Sequence, residues 1–114
     1  MSTDTINVSP GPLMRLHRAC PFTIQGMRFR TSQRVIGDVT AVTLRIGTVG
    51  ATAMIEQALT LDDTDEDDPS WYCTLTAVQT AIAASSGYEY VFVNQDGATM
   101  RYGPCSVVDH PRAV

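Results

Sequence analysis

Apolar and polar residues alternate with a period of two along most of this chain, the side-chain repeat of a β-strand and not of a helix. In the first such segment, Phe22 to Arg30, the apolar phase falls on Phe22 and Ile24, then moves to Met27 and Phe29 after Gly26. A phase change at a glycine predicts a β-bulge or a strand bend. Val39 to Ile46 is a cleaner strand, with Val42, Leu44 and Ile46 on one face and Thr43 and Arg45 on the other. Gly47 to Gly50 makes a turn. Ala53 to Leu61 reads as a third strand carrying Ala53, Ile55, Leu59 and Leu61 on one side, with Gln57 as the exception.

Alternation resumes at Trp71, where Trp71, Cys73 and Leu75 share a face and Tyr72 takes the opposite one. Thr76 followed by Gln79 forms a capping-box pattern, and Val78 and Ile82 are four apart, so the spacing predicts a short helix ending at Ser85, Ser86 and Gly87. Tyr88 to Val93 is almost wholly apolar or aromatic, the composition of a strand buried on both sides or facing a partner. Asp96-Gly97 is the strongest hairpin signal in the chain. Ala98 to Tyr102 pairs back, Gly103-Pro104 interrupts, and Cys105 to Val108 closes the fold. Short strands with turn signals every 8–12 residues or so predict an all-β protein, a single Ig-like antiparallel β-sandwich with one short helix between strands.

Residues 1–20 depart from this pattern. They begin with small polar residues, contain Pro10, Gly11 and Pro12, and hold no sustained period. They predict an extended N-terminal arm, leaving residues 21–114 as the sandwich domain. Leu13, Met14 and Leu16 are its apolar anchors toward a neighbour, and Arg15 and Arg18 are the groups that would seek carboxylates there. Tyr72, opposite in phase to Trp71, is the sandwich's own candidate contact residue.

Composition narrows the function classes. With 114 residues and 44% hydrophobic content the chain forms one domain with a real core. No apolar run approaches the roughly 18–20 residues needed to span a bilayer. The N-terminal stretch has neither a basic region nor a long apolar run, which points to cytosolic synthesis. The net charge of -4 is uneven, and there is no lysine. Arg15, Arg18, Arg28, Arg30 and Arg34 crowd the front, whereas seven acids and no base lie between Glu56 and Asp68. Overall acidity works against nucleic-acid binding.

Little in the chain points to catalysis. His17 lies in the arm and His110 in the C-terminal tail, away from any serine or cysteine on a rigid element. A phosphate-binding loop is excluded without lysine, and no cofactor motif occurs. Asp63, Asp65 and Asp67 start like a calcium loop, but Asp68 stands where glycine is needed and Thr74 where a bidentate glutamate belongs, so no metal site is assigned. Cys20, Cys73 and Cys105 lack zinc-site spacing and read as buried thiols, a Cys73–Cys105 bridge being left open. Trp71, Tyr72, Tyr88, Tyr90, Phe92 and Tyr102 serve as core or, alternatively, line a carbohydrate or receptor groove.

From about Phe22 to Pro111 the chain resembles small phage virion β-sandwich proteins related to the N-terminal modules of siphophage baseplate and tail proteins. The resemblance lies in Phe22-Thr-Ile-Gln-Gly-Met-Arg-Phe, in Val39-Thr-Ala-Val-Thr-Leu-Arg-Ile, and above all in Trp71-Tyr-Cys-Thr-Leu-Thr-Ala-Val-Gln-Thr-Ala-Ile followed by Gly87-Tyr-Glu-Tyr-Val-Phe-Val. The residues 1–20 and the long acidic loop depart from it. It implies a structural protein of the virion, assembled in the host cytoplasm as a tail, baseplate, adaptor or capsid-decoration component. Its expected partners are other virion proteins and copies of itself, and no enzymatic activity is implied. The alternative is a carbohydrate- or receptor-binding β-sandwich.

Overall fold

The period-two segments fold into strands whose alternating residues decide which side of a sheet is dry. The computed structural model describes residues 11–28, 39–64 and 69–109. Among them are eight strands: β1 (Met14–His17), β2 (Phe22–Met27), β3 (Thr43–Thr48), β4 (Ile55–Ala58), β5 (Thr60–Asp62), β6 (Ser70–Leu75), β7 (Ser85–Val93) and β8 (Thr99–Val108). They form a five-stranded sheet ordered β1-β8-β7-β3-β4 and a three-stranded sheet ordered β2-β6-β5. All pairings are antiparallel except β1 with β8. The expected all-β sandwich is the architecture found.

The core fills the space between the two sheets. Leu16, Leu44, Ile46, Phe92 and Val107 from the five-stranded sheet are buried with Ile24, Trp71, Cys73 and Leu75 from the other. Withdrawing each large aliphatic or aromatic side chain from water contributes about 1.5–3 kcal/mol, so this layer is the main source of stability. Tyr90 and Phe92 are packed edge to face, with centroids 5.7 Å apart.

Several local expectations match the structure. Gly26 has φ 69° and the β2–β6 register slips between Ile24 and Met27, the bulge that the phase change at this glycine predicted. Gly97 has φ 80°, and the Asn94 and Ala98 backbones bond across the β7–β8 turn. The side chain of Asn94 accepts from Asp96 N and Ala98 N and completes it.

Four expectations need correction. First, the short helix over Thr76–Ile82 is a single turn. Its capping box forms, with Thr76 N donating to Gln79 Oε1 at 2.8 Å and Gln79 N to Thr76 Oγ1 at 3.1 Å. One α-type bond follows, Thr80 N to Thr76 O. Thr80 is then committed elsewhere: its hydroxyl donates to Cys20 O at 2.7 Å and its carbonyl accepts from Ala19 N. A single closed turn does not overcome helix nucleation.

Second, the stretch expected as an arm is part of the sandwich where it is described. Met14–His17 pairs with Cys105–Val108, and Leu16 is completely buried. The alternation Met14 in, Arg15 out, Leu16 in was too short to register as a strand beside two prolines. Residues 1–10 lie outside the described residues.

Third, Ala53–Leu61 is two strands. The chain leaves the five-stranded sheet after Ala58 and enters the other at Thr60, turning at Leu59, whose N–H donates to Val42 O. Gln57 takes an inward position because its amide is satisfied there: its Oε1 accepts from Gln79 Nε2 at 2.9 Å, and its Nε2 donates to Ala58 O.

Fourth, Gly103-Pro104 does not interrupt β8. Tyr102 gives its carbonyl to Gly11 N on the side of β8 that faces β1, so the backbone of residue 104 faces that same side. The missing N–H of Pro104 therefore leaves the β7 ladder intact.

Candidate interaction face

Register assigns the outward residues of the five-stranded sheet. Opposite pairs share a face, so Arg15 on β1, Tyr102 and Pro104 on β8, Glu89 and Val91 on β7, Thr43, Arg45 and Gly47 on β3, and Glu56 on β4 all point away from the core. Arg45 and Glu56, directly opposite, pair at 2.9 Å. Both are substantially exposed, so the pair orders the surface more than it stabilises the fold. A shallow groove of about 420 Å³ is lined by Arg45, Gly47, Val49, Glu56, Glu89 and Val91. A second, of about 360 Å³, is lined by Val49, Gly87, Glu89, Tyr102 and Pro104. They share Val49 and Glu89, and Val49 is 70% exposed.

The contact residues read from the sequence are not brought together. Leu13 is half-exposed just ahead of β1, and Met14 packs partly against the core. Leu16 is fully buried in its own sandwich and is no anchor for a neighbour in this arrangement. Arg15 is exposed, and Arg18 is exposed and lies 3.4 Å from the Asp109 carboxylate at the end of β8. Tyr72 is exposed as its phase predicted, but on the outer face of the other sheet, opposite Thr60. Tyr102, named in the aromatic set, does border a groove, whereas Glu89, Gly47 and Pro104 carry no expectation as contact residues. The signal was present for Glu89: it is the lone charge in the apolar run Tyr88 to Val93.

The aromatic set divides by burial. Trp71, Tyr88, Tyr90 and Phe92 belong to the core, of which Tyr88 also borders the second groove; Tyr72 and Tyr102 face outward. Tyr90 reaches past Gly11 and Gly103, its hydroxyl donating to Pro12 O at 2.8 Å. Burial, with a smaller push from Cys105, raises its ionisation above the ordinary value despite the nearby Arg101. Tyr88 donates to Ala83 O at 2.7 Å, five residues upstream.

Burial or local hydrogen bonds shift Cys73, Cys105 and Asp62. All three cysteines are free. Burial pushes the Cys105 thiol up to about 11 and raises that of Cys73, which suppresses the nucleophilic thiolate. Asp62 is lowered by hydrogen bonds from the Thr64 side chain and backbone, an Asx-type loop contact. Among the described residues no group of three or more His, Cys, Asp or Glu is placed to hold a metal ion. Asp65 and Asp67 of the acidic run, and His110, lie outside the described residues.

A parallel N-terminal strand beside the last strand, the sheet order 1-8-7-3-4 against 2-6-5, and a tyrosine at the start of β7 bonded back to the preceding corner together define an immunoglobulin-like β-sandwich. The inter-sheet disulfide of antibody domains has no counterpart here. No family model and no curated protein sequence matches the chain. Among solved structures it is similar to the extracellular domain of mouse leukocyte-associated immunoglobulin-like receptor 1, determined as a strand-swapped dimer. The two are 9% identical over 99% of this chain and 96% of that one, with a TM-score of 0.49. That is a likeness of backbone path alone.

Proposed function

We propose that this chain is a non-catalytic assembly module, a structural protein of a phage virion that oligomerises through its N-terminal strand. The virion reading comes from the sequence resemblance over about Phe22 to Pro111, above all from Trp71 to Val93. The oligomerisation reading is carried by one observation: β1 is a four-residue edge strand joined to β2 through Ala19, a non-glycine residue at φ 59°. A left-handed backbone at an L-residue with a β-carbon costs about 1–2 kcal/mol. Opening this hinge releases that strain. Docking β1 on a second copy restores its four pairings with β8 and the burial of Leu16. The N-terminal segment then joins subunits although it lies on its own sandwich in the closed chain.

Light scattering over a range of concentrations tests this. Refolding at high concentration should yield dimers that persist on dilution. Deleting Ala19, which shortens the hinge, should raise the dimer fraction, and Ala19→Gly, which removes the strain, should lower it. A hinge-deleted chain that folds and stays monomeric throughout would sink the exchange. Virion placement is tested separately, by probing purified particles with an antibody to the chain. Particles lacking it would remove that reading and leave the exchange standing.

A further inference from the structure

Glu89 occupies an unusual position on the outward face of the five-stranded sheet. The residue opposite it on β3 is Gly47 and the one opposite it on β8 is Pro104. Glycine has no side chain and proline no donor, so neither neighbour can meet the carboxylate. The half-buried Glu89 thus stands on the floor of a trough where the two grooves meet. Arg45 and Glu56 at one end neutralise each other at 2.9 Å, which leaves Glu89 as the uncompensated charge among the groove-lining residues. Among the described residues its carboxylate has no hydrogen-bond or ion-pair partner.

A carboxylate on a half-buried side chain beside the apolar surface of Val49 and Val91 is completed best by a donor that is planar, weakly hydrated and forked. Guanidinium meets those terms and ammonium does not. The ring of Tyr102 borders the same groove and offers a face on which a guanidinium can stack. Val91 and Val49 supply apolar surface for an arginine stem. We propose that this trough is a binding site for an arginine side chain presented by a partner protein, with Glu89 as its counter-charge and Tyr102 as its stacking surface. The proposal concerns what the sheet face accepts, and it holds or fails independently of the virion reading and of strand exchange.

The test uses the full chain, labelled with nitrogen-15 and titrated with three blocked tripeptides of the form Gly-X-Gly, where X is arginine, lysine or citrulline. The arginine peptide should shift the amides of Gly47, Val49, Glu89 and Tyr102, saturating at concentrations on the order of millimolar. Citrulline, which keeps the shape and loses the charge, should give no saturable shift. Glu89→Gln should weaken the arginine peptide at least about tenfold, with its spectrum elsewhere unchanged as the check on folding. Tyr102→Leu should narrow the preference for arginine over lysine. Equal binding of the lysine peptide to the natural chain, an undiminished response in Glu89→Gln, or shifts confined to Asp62–Thr64 would each overturn the proposal.

Discussion

The hydroxyl of Tyr90 donates to the carbonyl of Pro12 at 2.8 Å and ties together residues 78 apart in the chain. Its ring lies against two glycines to do so. A β-carbon at Gly103 would sit 2.6 Å from the hydroxyl oxygen and 2.8 Å from the ring carbon that bears it, and one at Gly11 would also collide with that hydroxyl. Gly103→Ala should therefore destabilise the protein by about 1–3 kcal/mol, as overpacking does. Tyr90→Phe, which loses only the hydrogen bond, should cost about 1 kcal/mol. Urea unfolding of both variants checks the order; a harmless Gly103→Ala would contradict the contact.

Leu16 and Leu13 lie three residues apart and differ in burial, 0% exposed against 50%. Leu16→Ala should cost about 2–5 kcal/mol. Leu13→Ala should stay within about 0.5 kcal/mol, as surface changes do. Thermal unfolding in dilute monomer separates them. Similar small losses would mean that β1 is not docked as described.

Tyr88→Phe removes the bond to Ala83 O at the corner before β7. A loss of about 1 kcal/mol is expected, with Ala83's carbonyl left to water. Denaturant titration gives the number, and an unchanged midpoint would show that the corner bond contributes nothing.

The buried thiols make stability fall at alkaline pH. Cys105 is held at about 11 against an ordinary 9.0, so the unfolded chain releases this proton first. Its contribution is complete below pH 9 and is lost as pH rises toward 11, up to roughly 2–3 kcal/mol. Cys73 and Tyr90, also raised, act in the same direction. Unfolding free energies at pH 8 and pH 10.5 measure the drop, and Cys105→Ala should reduce it. A flat profile in the natural chain would rule out the buried thiol as the cause.

Much of the sandwich was legible because a strand half-exposed to water writes its orientation into alternate residues. Val42, Leu44 and Ile46 fell on the core side as read, as did Trp71, Cys73 and Leu75, and the bulge at Gly26 followed from the same rule. The candidate site was legible only in pieces, Tyr102 in the aromatic set and Glu89 as the lone charge of its run. Glu89 matters because Gly47 and Pro104 flank it, and those residues lie 42 and 15 positions away in the chain. No local pattern carries a pairing at that separation.

The sequence by itself determined the class of fold, the inward faces of the main strands and the turns at glycine, since these depend on side-chain period and backbone sterics within a few residues. The tertiary structure alone decided the rest. It turned Thr76–Ile82 into a single capped turn because Thr80 bonds to Cys20, and divided Ala53–Leu61 between two sheets at Leu59. It also laid Met14–His17 beside β8, where burying Leu16 outweighs the freedom of a loose segment. Each of these outcomes depends on a contact between residues far apart in the chain, and such contacts leave no mark on local periodicity.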